Sequence, residues 1–460
     1  LQLLDSTLRE GEQTPGVSFS VEEKVKIAKL LDQFGIDIIE VGHPAVSEDV
    51  KRACRVLAEE NMEAETLAHA RAMREDIDLV LQVGTPWVGI WLGTSPLSLE
   101  HKFHIGREEA LGRIRDSISY AKERGLKVRF TPEDATRTEF DYLAEVMELA
   151  ERAGADRISL ADTVGTALPG QMKELVEKAR GVIDLPLHVH CHNDYGMAVA
   201  NALAGYEGGA HLIDVTINGL GERTGITALA PLAVALNRLY EVEKGWRLEL
   251  LPRLARKVEE FSGLFNAEGS PIVGEHAFAH KAGLHTGAVL EEPRTYEAIP
   301  PEVVNQSREI VIDKYTGKAA VKNRLAEMGV EVDGEKLGEI VGKIKEKASK
   351  GKSRFTDVDV LEIADDVLEL DLRSRTPKRI EALVSFSLNS TSYTTRATRK
   401  IVALDEVDQV YEVTGDNDIM AHLEVKSIGS LNEIIEDFRN MEEVERTSTS
   451  LILKDYVQQD

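Results

Sequence analysis

Leu187-His188-Val189-His190-Cys191-His192-Asn193-Asp194 alternates side-chain character, and helical patterns bound it at Pro169–Gly181 and Gly196–Gly208. Successive side chains of a β-strand point to opposite faces, so this stretch reads as a strand between two helices. The same unit recurs outward to about residue 240. Further strands are expected at Leu1–Thr7, Ile36–Val41, Ala64–Ala70, Trp87–Thr94, Lys127–Asp134, Arg157–Thr163 and Leu212–Asn218. Helical periodicity marks Ser20–Gly35, which opens with Ser20 and Glu23 in a capping-box arrangement, and also Ser47–Glu60, Arg107–Gly125 and Glu139–Gly154. Strand–helix alternation repeated eight times favours a closed (β/α)8 TIM barrel over an open doubly wound sheet.

On the quoted strand, alternation sends His188, His190 and His192 to one face. His190 and His192 lie nearest the C-terminal mouth, where barrel enzymes keep their sites. Two imidazoles at i and i+2 can hold one divalent ion without backbone distortion. His188, a layer deeper, reads as packing or support, and Cys191 points away. An oxygen ligand is available from Asp5-Ser6-Thr7-Leu8-Arg9-Glu10-Gly11-Glu12-Gln13, which follows the first strand at the same mouth. Alone, that segment reads as a solvated loop. With the histidine pair, Glu10 would complete a two-histidine, one-carboxylate set with open positions for substrate oxygens. Magnesium, manganese and zinc all suit such donors.

The 460 residues exceed one small domain, and the 42% apolar content permits a large core. A formal charge of −25 argues against nucleic-acid or anionic-membrane binding, so an anionic substrate must be drawn in by local cations or a metal. No window has the apolar length of a membrane span, and no signal-peptide pattern opens the chain. Cys54 and Cys191 alone make no disulfide framework. A cytoplasmic protein is expected. Residue 1 is Leu and already reads as strand, so a short leader is expected before it.

The segment Asp5–Gln13, the His190/His192 pair and Asn218-Gly219-Leu220-Gly221-Glu222-Arg223-Thr224-Gly225 resemble the acyl-CoA-condensing barrel metalloenzymes, which include homocitrate and 2-isopropylmalate synthases. The similarity spans residues 1 to about 370. It implies Glu10, His190 and His192 as metal ligands, and Arg9 as the group that polarises the 2-oxo carbonyl and the enolate oxygen. The detail resembles homocitrate synthases: Arg9-Glu10 stands where isopropylmalate synthases usually carry Arg-Asp, and Ile226 replaces an asparagine ligand. Arg129 and Thr131, alternating onto the barrel interior, suit a distal carboxylate such as that of 2-oxoglutarate. The alternative for Arg129 is an internal ion pair with Glu133 or Asp134. Gln13, His69 and Thr163 match further substrate positions. Spacing alone would allow His280–Ala288 to be a structural turn. By resemblance, His285 and Tyr296 reach into a neighbouring subunit's barrel and assist catalysis, which implies a homodimer or higher assembly. Acetyl-CoA is the implied co-substrate, with Glu133 or the His285–Tyr296 pair as candidate base. Competing readings are 2-isopropylmalate synthase, an enzyme using both substrates, and hydroxymethylglutaryl-CoA lyase, whose loop cysteine is missing from Gly219–Gly225.

Helices and irregular connections are expected over 245–376, with amphipathic segments at Asp333–Ala348 and Asp357–Leu370 flanking a loop at Lys350–Ser353. After Arg375-Thr376-Pro377-Lys378 a third domain, 377–460, reads as strand Arg379–Leu388, helix Thr394–Leu404, strands Val407–Thr414 and Asp418–Val425, helix Ser430–Asn440 and strand Val444–Leu453. That βαββαβ order is the ferredoxin-like plan. Val413-Thr414-Gly415-Asp416-Asn417-Asp418 and Val444–Thr449 make it resemble the amino-acid-binding (RAM) domain of leucine-responsive regulators, with effectors near Gly415 and Asp418. The alternative is a plain dimerisation domain. Lysine is the implied effector, since homocitrate synthesis opens a lysine pathway. A DNA-binding regulator would want a basic helix-turn-helix, and none precedes the domain.

Overall fold

The computed structural model describes residues 1–452 apart from 282, 352–354, 369–379, 389–393, 405, 416, 426–427, 440 and 442. The eight expected strands form β1 (Gln2–Asp5), β2 (Ile38–Gly42), β3 (Glu65–Arg71), β4 (Trp87–Gly93), β5 (Lys127–Glu133), β6 (Arg157–Asp162), β7 (Leu187–Cys191) and β8 (Leu212–Val215). They pair in chain order, and β8 returns to β1 in parallel register from Gln2↔Leu212 to Asp5↔Val215, closing the barrel. Closure leaves no unpaired strand edge.

Strand alternation sorts the barrel interior by height. Leu4, Ile38, Leu67, Trp87 and Leu212 form an apolar cluster separate from the main core. Two residues further along each chain segment stand Ser6, Glu40, His69, Gly89 and Asp214. A step of two returns a side chain to the same face, one layer nearer the C-terminal mouth. Hydrocarbon therefore plugs the lower barrel, and the layer above it is polar.

Helix α1 (Val21–Phe34) starts as expected: Ser20 accepts from the Glu23 N–H while the Glu23 carboxylate accepts from Ser20 N–H. Such a cap contributes about 1 kcal/mol. Gly35 ends the helix at φ 97°, a conformation open to glycine. Two barrel helices escape the periodicity, Arg74–Val83 and Leu229–Arg238. The first is short and opens on charge; the second is equally short, ten residues, and has Pro231 in its first turn, although it buries Leu229, Ala230, Leu232, Ala233, Val234 and Leu236. Strand β8 also stops short of the expected Asn218. Ile217–Gly219 forms a 3-10 turn instead, with Asn218 at φ 59°.

Beyond the barrel, helix Leu251–Ser262 contributes Leu251, Leu254 and Val258 to the same hydrophobic core. Ala279–His280 and Glu309–Ile310 pair as a short parallel sheet, and helix Gly283–Glu291 lies between them in sequence. These elements belong to a compact unit Leu1–Val311, and a second unit runs from Ile312. Within the second unit are helices Gly334–Ser349 and Asp357–Leu368. It also contains a four-stranded antiparallel sheet ordered Val407–Glu412, Ile419–Val425, Ile380–Leu388, Val444–Leu451. Helices Thr394–Ile401 and Ile428–Arg439 complete the βαββαβ order. Ala382, Val384, Phe386, Ala421 and Leu423 form one buried face with Ala397, Ile401, Leu431 and Phe438 of the helices. Leu383, Ser385, Met420 and His422 on the other face are half-buried. The expected boundary at 376/377 and the end of the Lys350–Ser353 loop lie outside the described residues. No helix among the described residues is long and apolar enough to cross a membrane.

Candidate metal centre

Strand β7 delivers His190 from its inner face, and His192 follows just past its end, held by a bridge to Ile226. The two Nε2 atoms face each other at 3.3 Å. Glu10 leads into the 3-10 turn Gly11–Gln13 after β1, and its carboxylate joins the two imidazoles, with ligand atoms mutually within 4.8 Å. All three residues are buried. Two nitrogens bound to one ion at about 2.1 Å would stand roughly 3.0–3.4 Å apart, from octahedral to tetrahedral angles. The observed spacing fits a divalent ion. The tautomer fits as well: His190 Nδ1 lies 2.7 Å from Asp214 Oδ2, so Nδ1 carries the proton and Nε2 offers its lone pair to the site. Burial, reinforced by His190, pushes His192 down to about 3, into the neutral form that binds metals. Burial alone would raise the Glu10 carboxyl, but the Arg9 guanidinium beside it outweighs that and holds it low.

The glycine-rich loop after β8 seals one side. The Glu222 N–H donates to Glu10 Oε1 at 3.0 Å. A Cβ on Gly221 would meet Glu10 Cγ at 3.1 Å, and one on Gly225, at φ 83°, would meet Gly219 O at 1.7 Å. Arg223 ties the loop to its neighbours, donating to Asp194 at 2.7 and 2.9 Å and to Thr163 O at 2.7 Å.

Across the barrel, fully buried Glu40 gathers the cations. It accepts from Ser6 Oγ, from Arg9 Nε at 2.8 Å, and from Arg129 Nη2 at 2.9 Å. His69 Nδ1 lies 3.0 Å away. Arg129 therefore pairs with Glu40 and not with Glu133 or Asp134. Glu133 is held by Lys102 Nζ at 2.7 and 2.9 Å, and Asp134 by Arg137 at 2.8 and 2.7 Å. Removing one member of a buried pair of this kind costs about 3–5 kcal/mol. Burial opposes ionisation of Glu40, yet Arg9 and Arg129 hold it well below the usual carboxylate range. Burial and then Arg9 push His69 down to about 3. Arg9 also donates to Glu10 at 2.5 Å, so its guanidinium is fixed between two carboxylates.

The remaining expected residues are placed as follows. Arg129 Nε and Nη1 and Thr131 Oγ1 are buried with no hydrogen-bond partner among the described residues. Thr163 Oγ1 accepts from Asp134 N–H at 2.9 Å. The Gln13 side chain is exposed. His188 Nε2 approaches Asp214 Oδ1 at 2.7 Å without hydrogen-bond alignment, one layer below His190. His285 and Tyr296 are exposed and stack on each other at 4.1 Å. Among the described residues no hydrogen bond, ion pair or ring contact joins them to the barrel cluster. In the C-terminal module, Gly415 sits at φ 138° in the turn before Asp418. Asp418 donates its N–H to Phe386 O and accepts from Leu388 N–H, each at 2.8 Å, pinning that turn to the first strand of the module.

Two acids at the heart of the site, Glu40 and Asp214, were not singled out from sequence. Their signal was present: each stands two residues beyond an inward apolar residue, Ile38 or Leu212, inside an otherwise apolar strand. A buried acid at such a position needs cationic partners.

Residues 1–258 match the HMGL-like family, 272–352 the homocitrate synthase post-HMGL domain-like family, and 381–460 the Lrp/AsnC ligand-binding domain. A protein described as homocitrate synthase from Sulfurisphaera tokodaii is 46% identical over 458 residues, covering 98% of this chain and 99% of its own length. Another, from Sulfolobus acidocaldarius, is 45% identical over 98% of this chain and 97% of its own. Among solved structures, hydroxymethylglutaryl-CoA lyase from Pseudomonas aeruginosa superposes with a TM-score of 0.53 at 22% identity, covering 59% of this chain and 95% of its own, a likeness of fold. The chain belongs to the homocitrate synthases of the HMGL-like family, with an Lrp/AsnC-type ligand-binding domain at its C-terminal end.

Proposed function

We propose that this chain is a divalent-metal-dependent homocitrate synthase that condenses acetyl-CoA with 2-oxoglutarate and water to give homocitrate and CoA. The observation that carries the reading is the buried Glu10/His190/His192 set, with the His190 tautomer fixed by Asp214, close to the mouth of a barrel that also holds unpaired Arg129 and Thr131 donors. A bound ion would supply Lewis-acid polarisation of the 2-oxo acid. Arg9, immobilised by Glu10 and Glu40, adds positive charge at the carbonyl oxygen that becomes an alkoxide. Arg129 and Thr131 take the distal carboxylate, while His69, Gln13 and Thr163 line the remaining substrate positions. A proton leaves the acetyl methyl group to Glu133 or to the His285–Tyr296 pair of a second copy of the chain. The enolate carbon then attacks the 2-oxo carbon, and water hydrolyses the thioester. His285 and Tyr296 are stacked and exposed, as an element that works in a neighbouring barrel would be, which supports a homodimer or larger assembly. The three-part division into 1–244, 245–376 and 377–460 belongs to this reading, with the middle part completing the neighbour's site. Two free, buried cysteines suit a reducing, cytoplasmic location.

The unpaired donors favour a dicarboxylate over a branched apolar 2-oxo acid, which separates this reading from 2-isopropylmalate synthase. CoA release assayed across several 2-oxo acids, with and without divalent metal, tests it. The expected outcome is metal-dependent turnover that prefers 2-oxoglutarate; equal turnover of a branched monocarboxylate, or full activity after chelation, would reject it. Lysine is the proposed effector of the C-terminal domain, at the turn carrying Gly415 and Asp418. Truncation after Pro377 should then preserve turnover and abolish lysine inhibition, and inhibition that survives truncation would refute that part.

A further inference from the structure

Strands β4 and β5 run in register with Gly89 opposite Arg129, Trp91 opposite Thr131 and Gly93 opposite Glu133. A Cβ at Gly89 would stand 2.5 Å from Arg129 Nη2, and one at Gly93 2.6 Å from Ser98 Cβ. The two glycines thus cede their inner space, and Trp91 is the large side chain that β4 presents above the Trp87 layer. Its ring is held on several sides. It lies nearly parallel to His69 at 6.1 Å and tilted against Phe103 at 6.1 Å. Lys102 Nζ sits 4.6 Å from its centroid, anchored in turn on both oxygens of Glu133. The Nε1 of this fixed indole is buried and has no acceptor among the described residues.

The same condition holds for Thr131 Oγ1 on the paired strand and for Nε and Nη1 of Arg129 one step below. Arg129 Nη1 lies 4.0 Å from Asp214 Oδ2, beyond hydrogen-bond reach, while Nη2 is the atom that holds Glu40. Several buried polar groups on two adjacent strands, all lacking acceptors, are costly unless one ligand satisfies them together. A carboxylate offers about four lone-pair sites on two oxygens, whereas an indole N–H can only donate. From this adjacency on paired strands we infer that Trp91 is a specificity-determining residue, its indole N–H donating to the distal carboxylate of the 2-oxo acid beside Arg129 and Thr131. The inference rests on the proposed dicarboxylate substrate and adds to it a donor from β4.

The test is Trp91→Phe, which removes the N–H and keeps an aromatic ring. Calorimetry with magnesium present would measure binding of 2-oxoglutarate and of 2-oxopentanoate, which carries a methyl group in place of the distal carboxylate. The expected result is a loss of about tenfold or more for 2-oxoglutarate, with 2-oxopentanoate changed by less than about twofold. Equal losses for both, or no loss, would reduce Trp91 to a packing residue and overturn the inference. The wild-type chain supplies a second readout, independent of the variant's folding. The Trp91 indole N–H resonance should move on adding 2-oxoglutarate and not on adding 2-oxopentanoate. Trp246, whose Nε1 is also unpartnered but which stacks on Phe34 at 6.5 Å, is the internal control. A stationary Trp91 signal in saturated enzyme overturns the inference. If the wild-type chain binds no 2-oxoglutarate at all, the proposed function falls and takes this inference with it. If 2-oxoglutarate binds and W91F leaves that binding unchanged, only the inference falls.

Discussion

Replacing Asp214 by Asn should weaken metal binding without unfolding the barrel. Asp214 is fully buried on β8, with Oδ2 2.7 Å from His190 Nδ1 and Oδ1 2.7 Å from His188 Nε2. Burial opposes its ionisation, but His188 and His190 overcome that and hold the carboxyl low, so the native group is an anion. An asparagine oxygen can still accept the His190 proton, which preserves the tautomer, but the full negative charge behind the imidazole is lost. Hydrogen bonds to a charged acceptor contribute about 1.5–3 kcal/mol and those to a neutral one about 0.5–1.5, so the change removes about 1–1.5 kcal/mol. That corresponds to roughly tenfold in metal affinity, the lower end of what supporting carboxylates give. Asp214→Ala, which also frees the imidazole to rotate, should approach a hundredfold. Competition against a chelator of known affinity measures both variants, and thermal unfolding of the metal-free proteins checks that the fold survives. D214N binding metal as tightly as the unaltered protein would refute the argument that Asp214 sets the basicity and orientation of His190.

Gly89→Ala should misplace Arg129, because the new methyl would lie 2.5 Å from Nη2; the KM for 2-oxoglutarate is expected to rise about tenfold or more, and an unchanged KM would show that Arg129 does not meet the substrate. Gly225→Ala combines a backbone at φ 83° with a contact of 1.7 Å to Gly219 O. A loss of about 3 kcal/mol or more, seen as a fall of several degrees in the unfolding midpoint, is expected, and an unaltered midpoint would contradict it. Asp76 lies buried beside Arg71, at 2.8 Å from both Nε and Nη2, and His43. Burial alone would raise its carboxyl, but Arg71 and His43 lower it below its ordinary value. A depressed folded-state pKa gives stability that is present above the unfolded value of about 4 and lost as pH falls below it. Acid unfolding of Asp76→Asn should accordingly be shallower below about pH 4 than that of the unaltered chain, and parallel curves would reject the assignment.

The sequence alone determined the repeating unit and one half of the metal pair geometry. Period-2 alternation in Leu187–Asp194 commits His188, His190 and His192 to a single face, because that period is a property of the extended backbone and needs no tertiary contact. Capping at Ser20 and Glu23 is equally local. Short-range pattern failed where local and tertiary demands diverge. The helix Leu229–Arg238 has only ten residues and carries Pro231 in its first turn, a residue that reads locally as a break. The turn at Asn218 interrupts a run that still looks like strand.

Tertiary structure decided which charges meet. Ring closure sets β8 beside β1 and β7, which brings Asp214 under His190 and folds the Gly219–Gly225 loop over Glu10. The inward faces of β2, β3 and β5 converge on Glu40, which takes the Arg129 guanidinium that local spacing had offered to Glu133 or Asp134. Residues 89 positions apart have no periodic relation in the chain, and only the register of a closed sheet makes them neighbours.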